Sequence, residues 1–178
     1  MSCAEDGHAY LRQATREITM ADALNTGLSA KQRSDIAAAL NKVLADSYAL
    51  YLKTHGYHWN VRGPNFQSLH VLLEGQYTEE WTALDAIAER IRALGELAPQ
   101  GYAAFGNLSS IKDGNPESDW EAMLKELLAD NETVIRTLRD SFPVPDEAGD
   151  EATADLFTQR LQAHEKHAWM LRSTLGGK

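Results

Sequence analysis

The sequence predicts an all-α protein, a four-helix bundle in which a long crossover joins two helical hairpins. Apolar residues recur at helical spacing in four long segments, turn-forming residues separate these segments, and no segment with the period of a strand competes. The 178 residues can bury one core, and a hydrophobic content of 43% is typical of a globular protein. We expect one bundle domain over residues 30 to 176, preceded by a polar tail over residues 1 to 29.

The first hairpin is predicted between Ser29 and Gly95. Ser29 and Gln32 form a capping-box pair ahead of a helix from about residue 30 to 61. The Gly63-Pro64 pair ends this helix, and Asn65 is a candidate cap for a second helix from about 66 to 94. The predicted buried stripes are Ile36, Leu40, Val43, Ser47, Leu50 and Thr54 on the first helix, and Leu69, Leu73, Tyr77, Leu84 and Ile91 on the second.

A crossover follows the first hairpin. Residues 95 to 117 are rich in Gly, Pro, Asn and Ser, with a short helical piece expected around residues 102 to 105. Ser118 with Glu121 is a second capping-box pair, which predicts a third helix from Trp120 to Phe142. Its inward-facing residues are Leu127, Val134 and Leu138.

The last part of the chain predicts an acidic loop and a fourth helix. The loop is "VPDEAGDEA", residues 144 to 152, and the helix runs from Leu156 to Leu175, where Gly176-Gly177 closes it. Four amphipathic helices with one long middle connection form the ferritin-like bundle topology. The buried stripe of the fourth helix is Phe157, Leu161, His164, Ala168 and Leu171.

Composition excludes several classes of function. A formal net charge of -9 does not suit a surface that neutralises phosphates, so nucleic acid is not the default partner. The single cysteine, Cys3, cannot form an internal disulfide, and the first residues contain no apolar run typical of a signal sequence. No apolar run approaches the roughly 20 residues that span a bilayer. We expect a cytoplasmic protein.

Titratable residues form a separate stripe on the second helix. With His70 at zero on a helical wheel, Glu74, Asp85 and Glu89 fall at roughly 40°, 60° and 100°, away from the core stripe. Between them lie small or aromatic residues, including Trp81, instead of the Lys and Glu of a solvated face. We therefore expect this face to meet another surface.

Axial distance divides this stripe into two half-sites. Asp85 follows His70 by fifteen residues, so the two are about 22 Å apart and cannot share a metal within one chain. The turn after the first helix brings His58 to His70, and an antiparallel second copy would add Asp85 and Glu89. This mixed N/O set suits Fe(II) and, less selectively, Mn(II), Co(II) or Zn(II). The alternative is that His58 is a packed helix-end residue and that Asp85 and Glu89 are surface charges.

The segments "HWNVRGPNFQSLHVLLEGQY" (residues 58 to 77) and "LDAIAERI" (residues 84 to 91) strongly resemble the Dps proteins, DNA-binding proteins from starved cells, which are ferritin-like mini-ferritins. The resemblance extends over residues 30 to 175 and includes "TADLFTQRLQAHEKHAWMLRSTL" near the end. It implies a hollow homo-dodecameric shell, built from two-fold dimers, with ferroxidase sites shared between subunits.

The resemblance also implies roles for particular residues. Glu74 takes the position of an accessory iron-binding carboxylate, where family members commonly carry Asp, and Trp59 matches a tryptophan beside the site. An electron-donating or radical-absorbing role is implied for Trp59, while filling the dimer seam is an equally open role. The implied catalytic iron ligands of the inter-subunit di-iron site are His58, His70, Asp85 and Glu89.

The implied activity is that of a ferroxidase, an oxidoreductase acting on metal ions. It oxidises Fe(II), preferably with hydrogen peroxide, stores ferric mineral inside the shell and so protects against oxidative stress. DNA binding is expected to be weak or absent, since Dps proteins that bind DNA directly often use Lys-rich tails, and residues 1 to 29 carry four acids against two arginines. Two alternatives remain: a non-enzymatic nucleoid protein that compacts DNA and retains vestigial metal residues, and a protein that uses zinc or manganese.

Three further histidines have open roles. His164 and His167 lie three residues apart on the fourth helix and either join an auxiliary metal site or are buried, hydrogen-bonded residues. The position of His164 on the core stripe favours burial. His55, three residues before His58, either supports the site or faces solvent. A within-subunit di-iron bundle would instead carry Glu-x-x-His pairs, a spacing found here only at Glu5 and His8.

Overall fold

The computed structural model describes residues 24 to 177, which form six α-helices and no strands. This confirms the predicted all-α class. The part of the predicted tail that lies in residues 1 to 23, and with it the Glu5 and His8 pair, falls outside the described residues. None of the described helices is long and apolar enough to cross a membrane. The helices are α1 (Ala30–Asn60), α2 (Phe66–Ala93), α3 (Tyr102–Leu108), α4 (Trp120–Ser141), α5 (Pro143–Ala148) and α6 (Glu151–Thr174).

The four long helices pair as two hairpins. α1 packs along α2, α4 packs along α6, and contact between α1 and α4 joins the two hairpins. The crossover carries α3, which packs on α1, where the rings of Tyr48 and Phe105 stack with centroids 4.4 Å apart. The structure thus has the predicted bundle topology, including the short helix in the crossover.

The core is built from the apolar stripes read in the sequence. Ile36, Leu73 and Phe157 have no exposed surface, and complete burial of a side chain of this size contributes about 1.5–3 kcal/mol. Of the predicted stripe residues, Tyr77 and Leu161 retain part of their exposure. Large apolar residues that stay exposed include Trp59 and Trp81 on the α1–α2 hairpin, and also Tyr102 of α3 and Trp169 of α6.

The helix starts agree with the predicted caps in part. The Ser29 hydroxyl accepts from the Gln32 N–H at 3.3 Å, and the Ser29 N–H donates to the Gln32 side chain at 2.9 Å, which confirms the first capping box. The second box, predicted at Ser118, is wrong. The cap is Asp119, whose carboxylate accepts from the Ala122 N–H at 2.8 Å, because an anion at the helix start also interacts favourably with the helix dipole. Asn65 precedes α2 without a side-chain cap bond.

The acidic segment was wrongly predicted as a loop. It contains α5, and α6 begins at Glu151 instead of Leu156. Asp150 explains the early start, because its carboxylate accepts from the Thr153 N–H at 3.2 Å and from Arg90 of α2 at 2.6 Å. Although burial opposes the effect, the hydrogen bonds from Arg90 and Thr153 lower the pKa of Asp150.

A buried carboxylate fastens the crossover to the bundle. Asp46 of α1 has no exposed surface. It accepts from the Ser110 N–H at 2.6 Å, the Ser109 hydroxyl at 3.1 Å and the Thr137 hydroxyl of α4 at 2.7 Å. One side chain therefore joins α1, the crossover and the second hairpin.

Candidate metal centre

Two histidines meet at the corner of the first hairpin. His58 lies in the last turn of α1 and His70 near the start of α2, and Gly63, with a φ of 126°, lies in the turn between them. The imidazole rings stack with centroids 3.7 Å apart and an interplanar angle of 19°. His58 is buried and His70 is half-buried. The turn therefore brings together two imidazoles that lie twelve residues apart in the sequence.

Reciprocal hydrogen bonds fix the tautomer of both histidines. Nδ1 of His58 lies 2.9 Å from the carbonyl oxygen of His70, and Nδ1 of His70 lies 2.9 Å from the carbonyl oxygen of His58. A carbonyl oxygen only accepts, so each Nδ1 donates its proton and each Nε2 of the neutral ring keeps a free lone pair. A metal-binding histidine is commonly oriented in this way, through the ring nitrogen that does not bind the metal. The corner thus offers two Nε2 donors.

The three predicted carboxylates lie on the exposed side of α2. Glu74, Asp85 and Glu89 are all exposed. Glu74 lies about one turn beyond His70, whereas Asp85 is about 22 Å along the same unbroken helix. One chain therefore brings Glu74 towards the histidines and leaves Asp85 and Glu89 at the other end of α2.

An aromatic surface covers the same side of the hairpin. We call it the α1–α2 face, defined by Tyr51, His55, Trp59, Tyr77 and Trp81. Trp59 is 67% exposed and Trp81 is 59% exposed. The ring of Trp81 lies 5.4 Å from that of Tyr51, and the rings of Tyr77 and His55 stack at 4.0 Å. Exposed tryptophans clustered on one face are typical of an interaction surface.

His55 belongs to this surface and is half-buried. Its Nδ1 lies 3.3 Å from the Tyr51 hydroxyl, and its ring lies 4.3 Å from that of Trp59. Burial, and secondarily the nearby His58, lowers the pKa of His55. His55 therefore supports the packing beside the corner.

A second group of titratable side chains lies inside the bundle. Glu80 of α2 and His164 and His167 of α6 are buried, and their potential ligand atoms all lie within 4.8 Å of one another. The predicted burial of His164 is confirmed. Its Nδ1 lies 3.0 Å from the Asn131 amide oxygen of α4, and the Arg160 guanidinium of α6 lies 3.3 Å from its Nε2. Burial lowers the pKa of His164 well below its ordinary value.

The sequence argument missed Glu80. Burial raises the pKa of its carboxyl group to about 7, although Arg160 acts in the opposite direction. A signal exists in the sequence: Glu80 follows Leu73 by seven residues and precedes Leu84 by four, which puts it on the core stripe. An acid in the middle of an apolar stripe has to find a partner inside the protein.

Comparisons with known proteins agree with this architecture. The model of the ferritin-like domain family, Ferritin, matches residues 37–177. A low temperature-induced protein of Nostoc is 42% identical, over 87% of this chain and 88% of its own. DNA protection during starvation protein 2 of Bacillus anthracis is 36% identical, over 79% of this chain and 96% of its own.

A solved structure shows the same fold. The Dps protein of Vibrio cholerae, described as a member of a broad superfamily of ferritin-like diiron-carboxylate proteins, matches with a TM-score of 0.80 and 31% identity, over 83% of this chain and 93% of that one. Fold and family model together define a ferritin-like protein. Within that class, the chain belongs to the Dps family.

Proposed function

We propose that this chain is a subunit of a ferroxidase and iron-storage shell whose oxidation sites are each shared by two subunits. The observation that carries the proposal is the histidine corner. None of the described residues hydrogen-bonds either Nε2 atom there, while Asp85, the nearer of the matching carboxylates, lies about 22 Å away on the same helix. In an antiparallel pair, His58 and His70 of one subunit meet Asp85 and Glu89 of the partner subunit. A two-fold axis then creates two equivalent sites.

The α1–α2 face fits this pairing. An axis that brings His70 level with Asp85 and Glu89 of the partner subunit crosses α2 midway, near residue 78. Trp81 lies one turn from that point and, at 59% exposure in the single chain, would be covered by the second copy. The proposed dimer therefore buries the aromatic surface that the bundle leaves in solvent.

Fe(II) is the proposed substrate. Imidazole nitrogens and carboxylate oxygens are ligands that Fe(II) accepts, and the carboxylates, with Glu74 as an accessory one, offset its charge. Two Fe(II) ions each give one electron to hydrogen peroxide, which takes up two protons and becomes two water molecules. Both electrons are delivered at one site, so hydroxyl radical is not released. Trp59, beside the corner, is proposed to absorb stray oxidising equivalents or to fill the seam.

Membership of the Dps family supports a proposal about the assembly and its setting. We propose a homo-dodecamer built from two-fold dimers, which stores ferric mineral, resides in the cytoplasm and protects against oxidative stress. The formal net charge of -9 favours the approach of cations. Metal analysis of the purified shell distinguishes iron from zinc or manganese, because the iron proposal requires that iron be the metal that accumulates.

Direct DNA binding is proposed to be weak or absent, although one relative is named for DNA protection. Residues 1 to 29 carry four acids and two arginines, so the chain supplies little of the phosphate neutralisation that such binding needs. A gel shift over a range of salt concentrations tests this. Retention of duplex DNA at physiological salt would instead support the non-enzymatic nucleoid alternative.

Complementation between two inactive variants tests the shared site. In a dimer of one His70→Ala and one Asp85→Ala subunit, one site lacks both residues and the other regains every ligand. Random assembly of equal amounts gives half mixed dimers, so about one quarter of the sites, and of the wild-type rate of iron oxidation, should return.

The matched control mixes His58→Ala with His70→Ala, which damage the same half-site, and should recover nothing. Mass spectrometry verifies that both subunits are present in each shell. The shared site is refuted if verified His70→Ala and Asp85→Ala shells stay inactive, or if the control pair recovers equally.

A further inference from the structure

We propose that Glu80, His164 and His167 form a second metal site, enclosed within one subunit and independent of the site shared between subunits. Two imidazoles and one carboxylate suit a divalent first-row metal ion that accepts nitrogen and oxygen ligands, such as Zn(II).

The donor atoms already have suitable spacing. The Nε2 atom of His164 lies 3.6 Å from a carboxylate oxygen of Glu80, and neighbouring ligands about 2.1 Å from a tetrahedral zinc ion are about 3.4 Å apart. Arg160 only donates, so its contact with Nε2 of His164 shows that this nitrogen carries the lone pair, and Nδ1 then donates to Asn131. His164 is thus held in the tautomer whose Nε2 atom, on the side of Glu80, can bind a metal ion.

The Glu80 carboxyl group is buried, with few polar partners in the part of the chain that the structure describes. Its side chain is 3% exposed, Arg160 donates to Oε2 at 2.9 Å, and the Ser47 hydroxyl contributes a weak hydrogen bond. Glu79 contributes a second carboxylate, and Arg160 is the guanidinium that faces both. Above about pH 7, where Glu80 has lost its proton, two carboxylates face one guanidinium, and the excess negative charge of these three groups favours a bound cation. Burial lowers the pKa of both His164 and His167, so both rings are neutral at neutral pH.

Arg160 is the group that an entering ion displaces. Its Nη2 lies 2.9 Å from Glu80 and 3.3 Å from His164. The same guanidinium also binds the Glu79 carboxylate through both of its Nη atoms, and that carboxylate side chain is 41% exposed. Arg160 can therefore keep Glu79 as its partner while the ion takes over Glu80 and His164.

A surface groove gives access to the cluster. It lies between α2 and α6, has a volume of about 750 Å³, and is lined by Glu79, Arg160 and His167 among others. His167 is 8% exposed at this wall, while Glu80 and His164 lie deeper. An ion therefore meets Glu79 and His167 first and reaches Glu80 by displacing Arg160.

Anomalous diffraction from wild-type crystals soaked in Zn(II) tests the site directly. We expect a peak about 2.0–2.2 Å from the Glu80 carboxylate and from both imidazoles, besides any peak at the histidine corner. Peaks confined to the corner or to the surface, in soaks that load the corner, would overturn the proposal.

A count of bound Co(II) tests it in solution. His167→Gln should lose one tightly bound Co(II) per subunit, with the associated visible absorption. Gln162→Ala, which alters an exposed residue of the same groove, should lose none. Circular dichroism and size-exclusion chromatography verify that each variant is folded. Equal counts in folded wild-type and His167→Gln protein would contradict the site, and if His167→Gln does not fold, the soaked wild-type crystals decide.

Discussion

The histidine corner and the buried cluster use the same chemical groups in opposite ways. At the corner, backbone carbonyls hold both Nδ1 atoms, and no residue between 24 and 177 hydrogen-bonds either Nε2 atom. In the cluster, Asn131 and Arg160 occupy both nitrogens of His164, and Arg160 also binds Glu80. As proposed, the corner needs carboxylates from a second chain, whereas the cluster takes its three donors from one chain and is already neutralised in part by Arg160.

This difference is what we would expect between a site of turnover and a site of retention. A group that binds and releases a substrate ion needs donor atoms that no other residue occupies. A buried group with a resident guanidinium must exchange one cation for another, which slows both entry and release. We therefore propose rapid iron oxidation at the corner and its partner carboxylates, and slow, tight metal binding at the cluster.

Among the substitutions that test this comparison, Asp85→Ala should have the largest effect on the rate of iron oxidation. Loss of a direct ligand should lower the rate of iron oxidation by at least about 100-fold, since even residues that only support ligands cost 10–100-fold, while the shell stays assembled. Stopped-flow absorbance of Fe(III) formation measures the rate. Asp140→Ala, which removes an exposed carboxylate of α4, is the control and should oxidise normally. An equal loss of oxidation rate in His167→Gln would indicate that iron is oxidised inside the bundle and not at the corner.

A second effect is expected at the α1–α2 face, the surface through which the two subunits are proposed to pair. Trp81→Glu places two like charges close to the proposed axis and removes apolar burial of at least about 2 kcal/mol per subunit. Analytical ultracentrifugation should show loss of the two-fold dimer while circular dichroism stays helical. Trp81→Phe keeps an aromatic ring and should remain assembled. If Trp81→Glu shells stay intact, the α1–α2 face is not the interface.

The smallest expected effect is a pH dependence of the free energy of unfolding that comes from Glu80 of the cluster. Burial raises the pKa of Glu80 to about 7 from an ordinary value of 4.5, with Arg160 opposing. The folded state thus holds a proton that the unfolded chain releases, so the contribution of Glu80 to stability is lost as pH rises from about 4.5 through 7. Relative to Glu80→Gln, the free energy of unfolding of the wild type should fall by on the order of 1–3 kcal/mol over this range.

Denaturant titrations at several pH values, in metal-free buffer with a chelator, measure that difference. The lowered pKa of His164 acts with the opposite sign, but it is present in both proteins and largely cancels. A difference that stays constant between pH 4.5 and 7.5 would show that Glu80 does not hold its proton in the fold.

Much of the first hairpin could be predicted because its signals are local. Ser29 with Gln32 and Gly63 with Pro64 mark its helix ends within the chain itself, and α1 and α2 end within one residue of the expected positions. The start of α6 was missed because Asp150 is satisfied by Arg90, sixty residues away. The composition of the acidic segment does not reveal Arg90 as a partner, because only tertiary packing brings it close.

The two candidate metal sites differ in the same respect. The proximity of the two histidines could be predicted because they flank a turn. The separation of His70 from Asp85 could be predicted from the number of residues between them and the rise of one helix. The cluster joins α2 and α6, so the alignment of Glu80 with His164 depends on the relative register of two helices that are far apart in the sequence. No spacing along one helix determines that register.

The Asp46 carboxylate has a consequence for how the bundle holds together. Its acceptor atoms are filled by residues from the crossover and from α4, up to 91 positions later in the chain. The first hairpin expressed without the crossover and α4 would leave this anion without the partners that Ser109, Ser110 and Thr137 supply. The two halves of the molecule are therefore a single cooperative unit, and a cut in the crossover should destabilise both together.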